Sequence, residues 1–311
     1  MHPATSVILF TTTSGIGYGI LAFLPVFSIY GLLPVDRWLG AALILPALGL
    51  VTFGLLSSLF HLGHPERAWL ALSQWKSSWL SREGIMAIIT YVPALLFAYS
   101  WIGLETLSGP WFWVACLTSI TALITLFTTS MIYRSLKPVP AWATNWTVAG
   151  YLAVGLLSGL SVIIAVAASF SFHPARFQSS ALLFTLAAAI IKNAYWARQP
   201  KAWASIDKGE AIGVPSAEVK SIEWPHTEEN YILKEMGYRI ARKHSEKLRS
   251  LTRLLLFGCP LFALVILPSI VSMPNLTFCI GLGALLTLAG VVIERWLFFA
   301  EAKHVVTLYY R

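Results

Sequence analysis

Apolar residues along this chain fall into eight blocks, separated by short polar turns and by one long charged segment. The blocks run Ser6–Leu33, Leu39–Leu62, Gly84–Leu104, Pro110–Tyr133, Trp146–Phe170, Ser179–Trp196, Leu251–Ser272 and Asn275–Phe299. A helix needs about 20 mostly apolar residues to cross a bilayer. In lipid, a lone segment can satisfy its own backbone polar groups only as a helix. The pattern therefore predicts an all-α, polytopic membrane protein: a bundle of eight transmembrane helices forming one membrane domain over residues 1–311. Pro46, Pro93, Pro260, Pro268 and the run Gly15-Ile16-Gly17-Tyr18-Gly19 fall inside blocks. Neighbouring helices can satisfy the backbone groups that proline frees, and the glycines read as close packing contacts. No strand precedes them, so they do not form a nucleotide-binding loop.

Composition agrees. The 311 residues are 57% hydrophobic and only 12% charged, with mean hydropathy +0.71. A soluble core of this size has no need for so little charge. The first block lacks a basic leader and a small-residue cleavage site, so it reads as a retained span. No block of ordinary domain size remains outside the spans. Chemistry that needs a water-soluble catalytic domain is expected from a partner.

Charge then orients the bundle. Eight spans put both chain ends on one face. Of the 22 Lys and Arg residues, only Arg37 and Arg176 fall in loops of the other face. Cytoplasmic loops carry the excess of Lys and Arg, so the basic face, with both termini, is expected to be cytoplasmic. The net charge of +8 follows from this topology and not from a groove-binding motif, so no nucleic acid partner is expected.

The charged segment at 198–250 holds half of the formal charges. Its second part, Glu228–Leu248, reads as a cytoplasmic helix, amphipathic at its start, where Ile232, Leu233, Met236 and Ile240 share a face; Lys243 and Lys247 then interrupt that stripe. Two readings stand side by side: a basic helix resting on anionic membrane lipids, or a docking surface for a soluble subunit through Arg239, Arg242 and Lys243.

Cys116, Cys259 and Cys279 each sit alone within a span, so no iron–sulfur cluster or structural zinc site is expected in this chain and no disulfide is implied. They read as small buried hydrophobes. The seven histidines include none deep in a span. Paired axial ligands for a haem are therefore not expected, and no metal site is assigned.

The ionisable residues that remain near hydrocarbon are His61, Glu83, Lys192, Arg253, Glu294 and Arg295. Charge inside a span is expensive and marks functional candidates. His61 closes the second block and Glu83 opens the third, on the same face. A quinone takes up two protons with its two electrons, and a histidine beside a carboxylate can handle those protons. Plainer readings exist. His61 can be an interfacial histidine bonded to a loop carbonyl. Glu83 can be a charge favoured by the helix dipole, with Ser81 as cap. Lys192 and Arg253 read as snorkelling side chains, and Glu294 and Arg295 as partners of neighbouring charges. Trp69, Trp75 and Trp79 suit an interfacial aromatic belt, or a pocket for a flat ring.

The element His61-Leu62-Gly63-His64-Pro65-Glu66-Arg67-Ala68, with Ser81-Arg82-Glu83 at the next span, resembles the membrane anchor subunits of the dimethyl sulfoxide reductase family, within the complex iron–sulfur molybdoenzymes. The eight-span plan extends the resemblance over nearly the whole chain. It implies that His61 and Glu83 are catalytic at a quinone site, with Gly63, Pro65, Arg67, Trp69, Trp79 and Arg82 lining it and Lys192, Glu294 and Arg295 supporting it. It implies quinone (ubiquinone or menaquinone) as the redox carrier, and no haem. The implied partners are an iron–sulfur electron-transfer subunit and a molybdopterin catalytic subunit, at a bacterial cytoplasmic membrane. The stretches Glu235-Met236-Gly237-Tyr238, Ala241-Arg242-Lys243-His244 and Glu294–Ala302, and the start Met1-His2-Pro3-Ala4, are more similar to a branch serving cytoplasmic, quinone-linked sulfite dehydrogenases. In that branch electrons run from sulfite to quinone. In a reductase they run from quinol outward, and the anchor sequence alone does not fix the direction.

Two other classes compete. A small transporter would show internal repeats, broken helices and polar residues at mid-bilayer; no clear repeat is found, and the ionisable residues gather near one face. A purely structural tether keeps the docking role and lacks the quinone.

Overall fold

The computed structural model describes residues 5–60, 63–204, 209, 212, 214, 219–220, 244–273 and 275–308. Among these, eight helical stretches are long and apolar enough to cross a membrane, as the hydrophobic pattern predicts. They are α1 (Thr5–Ile29), α2 (Arg37–Leu59), α3 (Trp79–Ala98), α4 (Pro110–Arg134), α5 (Asn145–Ser169), α6 (Gln178–Ala204), α7 (Ser245–Arg253) and α8 (Asn275–Ala300). α3 continues through a wide π turn over Tyr99–Gly103. α7 continues through two π segments, Leu254–Gly258 and Leu261–Ile266, and a last tight turn to Ser269. Pro260 and Pro268 lie in this irregular stretch, where each lacks the N–H that a regular ladder requires.

Two helices begin five or more residues before their apolar blocks. α3 starts at Trp79, with Ser78 as N-cap accepting from the backbone N–H of Ser81 at 3.4 Å. Ser81, expected as the cap, instead donates its hydroxyl to the carbonyl of Leu72 at 2.9 Å. Glu83 thus sits in the second turn of α3 and not at its first residue. α7 starts at Ser245, two polar turns before Leu251. Hydropathy marks where lipid begins, whereas capping and backbone bonding decide where the helix begins.

α1 is the central helix. Most of its length is buried, and it packs against α2, α4 and α5. Small residues make this possible. A Cβ at Gly17 would stand 2.6 Å from the carbonyl oxygen of Ala47 on α2, and one at Gly19 would collide with the backbone of Gly155 on α5. A Cβ at Gly159 would likewise collide with the backbone at Gly19. Gly15 differs, since a Cβ there would meet nothing within 4 Å. Polar stitches add to the packing: Ser119 donates to the Ala22 carbonyl at 2.9 Å, and Thr90 and Thr125 pair their hydroxyls at 2.8 Å. At one end of the bundle Arg37 meets Glu105 at 3.0 Å, which ties the start of α2 to the turn after α3.

The three cysteines lie within spans, but each is half-buried, not fully enclosed as expected. The expected helix Glu228–Leu248 and the docking residues Arg239, Arg242 and Lys243 lie outside the described residues, except for the stretch from His244 that leads into α7.

Candidate functional site

His61 lies outside the described residues, so the site is built from Glu83. The segment before α3 forms a ten-residue 3-10 helix, Pro65–Gln74. It lies along the first turns of α3, where Leu72 takes the hydroxyl of Ser81 and would stand 2.9 Å from a Cβ at Gly84. Arg82 fixes the next turn of chain, donating to the carbonyls of Trp75 at 2.8 Å and Lys76 at 2.6 Å while its guanidinium lies over Trp79. Trp79 is half-buried and meets Phe127 of α4 edge-on. Arg82 and Trp79 thus form the outer rim beside Glu83.

The other residues expected at the site lie apart from this rim. Gly63, Pro65, Arg67 and Trp69 are exposed. Arg67 reaches Glu66 only at 4.0 Å, and His64 Nδ1 lies 2.9 Å from Glu66. They line the outward surface of the loop and not the interior around Glu83.

Glu83 points inward and is 4% exposed. Its Oε1 is buried without a partner among the described residues. Thr129 of α4, its hydroxyl donating to the Thr125 carbonyl at 2.9 Å, is a polar neighbour of Glu83. Around it stand buried tyrosines from three other helices: Tyr18 of α1, Tyr133 of α4 and Tyr151 of α5. The hydroxyls of Tyr18 and Tyr151 likewise lack partners among the described residues. A buried carboxyl with an open oxygen and buried tyrosines among its neighbours can hold a proton and present it to a polar oxygen placed beside it.

The supporting charges form a second buried cluster. Lys192 of α6 pairs with Glu294 of α8, and both are buried. Arg295 Nε lies 3.0 Å from Glu294 Oε2, a charge contact without hydrogen-bond alignment. Its guanidinium covers the ring of Tyr151 at 4.3 Å, and Lys192 lies 4.3 Å over Tyr195. Lys192 therefore does not snorkel: an interior carboxylate and aromatic faces compensate its charge. Arg253 donates to Asn193 at 2.9 Å and lies over Trp196, half-buried against α6.

Tyr18, Tyr133, Tyr151 and Tyr195 escaped the sequence reading, because a tyrosine inside an apolar block reads as packing. The ion pair did leave a signal. Lys192 and Glu294 lie at similar distances from the ends of their spans, seven residues before Gln199 and six before Ala300, and they carry opposite charge.

A sequence profile for the DMSO reductase anchor subunit (DmsC) family matches residues 1–300. The chain is 32% identical to a sulfite dehydrogenase subunit of Allochromatium vinosum over 331 aligned positions, covering all of this chain and 99% of that one. No solved structure matches.

Proposed function

Since this chain belongs to the DMSO reductase anchor subunit family, we propose that it is the quinone-reactive membrane subunit of a molybdenum-containing oxidoreductase. In this reading it passes electrons between an iron–sulfur subunit and the quinone pool. The favoured direction is from sulfite oxidation to quinone, which the full-length similarity to a sulfite dehydrogenase subunit supports.

The observation that carries the quinone role is Glu83: a buried carboxyl whose Oε1 has no partner among the described residues, set among buried tyrosines near the end of a span. A bound quinone would supply the two-electron, two-proton chemistry. Glu83 would hold a proton facing its ring oxygen. Tyr18, Tyr133 and Tyr151 would keep bulk water out and order the hydrogen bonds around that carboxyl. Arg82 and Trp79 would fix the rim, and His61, two residues beyond α2 in the sequence, would serve the same oxygens. The soluble subunits would dock on the face that holds Glu83 and the basic segment, since electron transfer needs their terminal cluster close to the quinone.

Purification in mild detergent tests the assembly. The reading expects an iron–sulfur and a molybdenum subunit to co-purify with the chain, and sulfite-dependent quinone reduction in that complex. His61→Ala should leave the complex intact and spare electron transfer to a soluble dye while quinone-coupled turnover falls. Unchanged quinone-coupled turnover would remove His61 from the site.

A further inference from the structure

The buried polar atoms that lack partners among the described residues are not scattered. Many of them follow one course through the bundle: Glu83 Oε1, the hydroxyls of Tyr18 and Tyr151, then the Tyr195 hydroxyl, Gln199 Nε2 and Glu301 Oε2. Glu83 and Tyr151 are electrostatic neighbours of Tyr18, the Arg295 guanidinium lies 4.3 Å from the centre of the Tyr151 ring, and Gln199 and Glu301 are polar neighbours of Tyr195.

Between Tyr151 and Tyr195 lies a small internal cavity of about 10 Å³. That is close to the room needed by one water molecule, which also needs two to four polar partners. Its walls provide them: Thr147, Tyr151, Lys192, Tyr195, Glu294 and Arg295. The hydroxyls of Thr147, Tyr151 and Tyr195 are among the atoms without a protein partner.

The far end opens outward. Gln199 accepts from Arg249 at 2.7 Å, and Arg249 also donates to Glu301 at 2.7 Å and to the exposed Glu246 at 2.8 Å. Gln199, Ser245, Arg249, Glu301 and Lys303, with Ala141 and Trp203, line a larger open cavity of about 360 Å³ at the ends of α6, α7 and α8.

We propose that this course is a proton route joining Glu83 to the open cavity at Arg249 and Glu301, with the Lys192–Glu294–Arg295 cluster as its midpoint and one bound water linking Tyr151 to Tyr195. It rests on the proposed quinone role of Glu83. Reduction of one quinone consumes two electrons, from the iron–sulfur subunit, and two protons. The route carries protons inward to Glu83 from the solvent-facing cavity, and outward when quinol is oxidised. A hydroxyl can donate one hydrogen bond and accept another, so with water joining these unpartnered groups a proton can pass by successive exchange along the row. The basic residues of the cluster hold the negative charge of Glu294 inside the bundle at the depth of the water cavity.

Tyr151→Phe and Tyr195→Phe test this in the complete complex, because each removes one hydroxyl that has no protein partner among the described residues and leaves the ring packing in place. Quinone-coupled turnover should fall about tenfold or more, given the usual worth of a positioned proton donor, and its solvent deuterium isotope effect should rise. Binding of a short-chain quinone, read by tryptophan fluorescence, should not change. The double variant should be at most about twofold slower than the slower single one, as for two steps in series. Wild-type turnover and isotope effect in both variants, or a loss confined to quinone affinity, would overturn the route. Glu83→Gln separates the two levels. If it too leaves turnover unchanged, the quinone role of Glu83 fails and the route loses its inner end. If it slows turnover while both phenylalanine variants run normally, only the route fails.

Discussion

Lys192 on α6 and Glu294 on α8 form an ion pair buried inside the bundle, with Arg295 as a second cation at the same carboxylate. Two helices far apart in sequence are thereby locked at one depth. Removing one member of a buried pair strands its partner, at a cost of about 3–5 kcal/mol. Glu294→Ala leaves two cations without their carboxylate and is expected to lower the midpoint of thermal unfolding in detergent sharply. Replacing the pair together, Lys192→Met with Glu294→Gln, should recover part of the loss. A single variant as stable as wild type would show that the pair adds nothing.

The α1–α5 contact depends on the absence of side chains. Gly19 and Gly159 meet backbone to backbone, so Gly19→Val has no free space and is expected to destabilise by about 1–3 kcal/mol, the usual cost of overpacking. Gly15→Ala, where a Cβ meets nothing, should be neutral. Unfolding midpoints of the two variants, measured side by side in detergent, decide this. Equal midpoints would contradict the packing assignment.

Glu301 lies just beyond α8. Burial pushes its carboxyl above the usual carboxylate range, partly opposed by the hydrogen bond and charge of Arg249. A carboxyl that holds its proton more tightly folded than unfolded stabilises the fold at low pH and loses that contribution as pH rises through the folded value. Stability should therefore decline as pH rises above about 4.5, the ordinary glutamate value, and Glu301→Gln should flatten that slope. Parallel slopes for the two proteins would rule out Glu301 as its source.

Charge reversal of Arg239, Arg242 and Lys243 to Glu is expected to release the soluble subunits from membranes. The release should depend on salt, as expected of an electrostatic docking face. A cysteine placed in the same segment should react from the cytoplasmic side, and less when the partners are bound. Labelling from the outer side would invert the orientation derived from the Lys and Arg distribution.

The fold was legible because a membrane imposes a length and a composition on every spanning helix, and all eight blocks crossed that threshold. Helix ends were less legible. Ser78 and not Ser81 caps α3, and polar residues from Ser245 extend α7, since lipid contact and helix propagation stop at different places. Glu83 was visible as the single acidic residue at the start of its block. The tyrosines around it were not: Tyr18, Tyr133 and Tyr151 come from α1, α4 and α5, and only the packing of those helices brings their rings to one carboxyl. Lys192 read as a snorkelling side chain because its partner lies about a hundred residues away in sequence, on α8.

Whether Glu83 serves quinone protons is decided by Glu83→Gln in the intact complex. Glutamine keeps the size and hydrogen-bonding capacity of the side chain but cannot exchange a proton. Turnover should be measured twice on the same preparation, with a quinone and with a soluble dye that takes electrons ahead of the membrane protein. A proton-handling Glu83 requires quinone-coupled turnover about a hundredfold lower or more, with dye-coupled turnover and the make-up of the complex unchanged. Equal quinone-coupled rates for Glu83→Gln and wild type would contradict it.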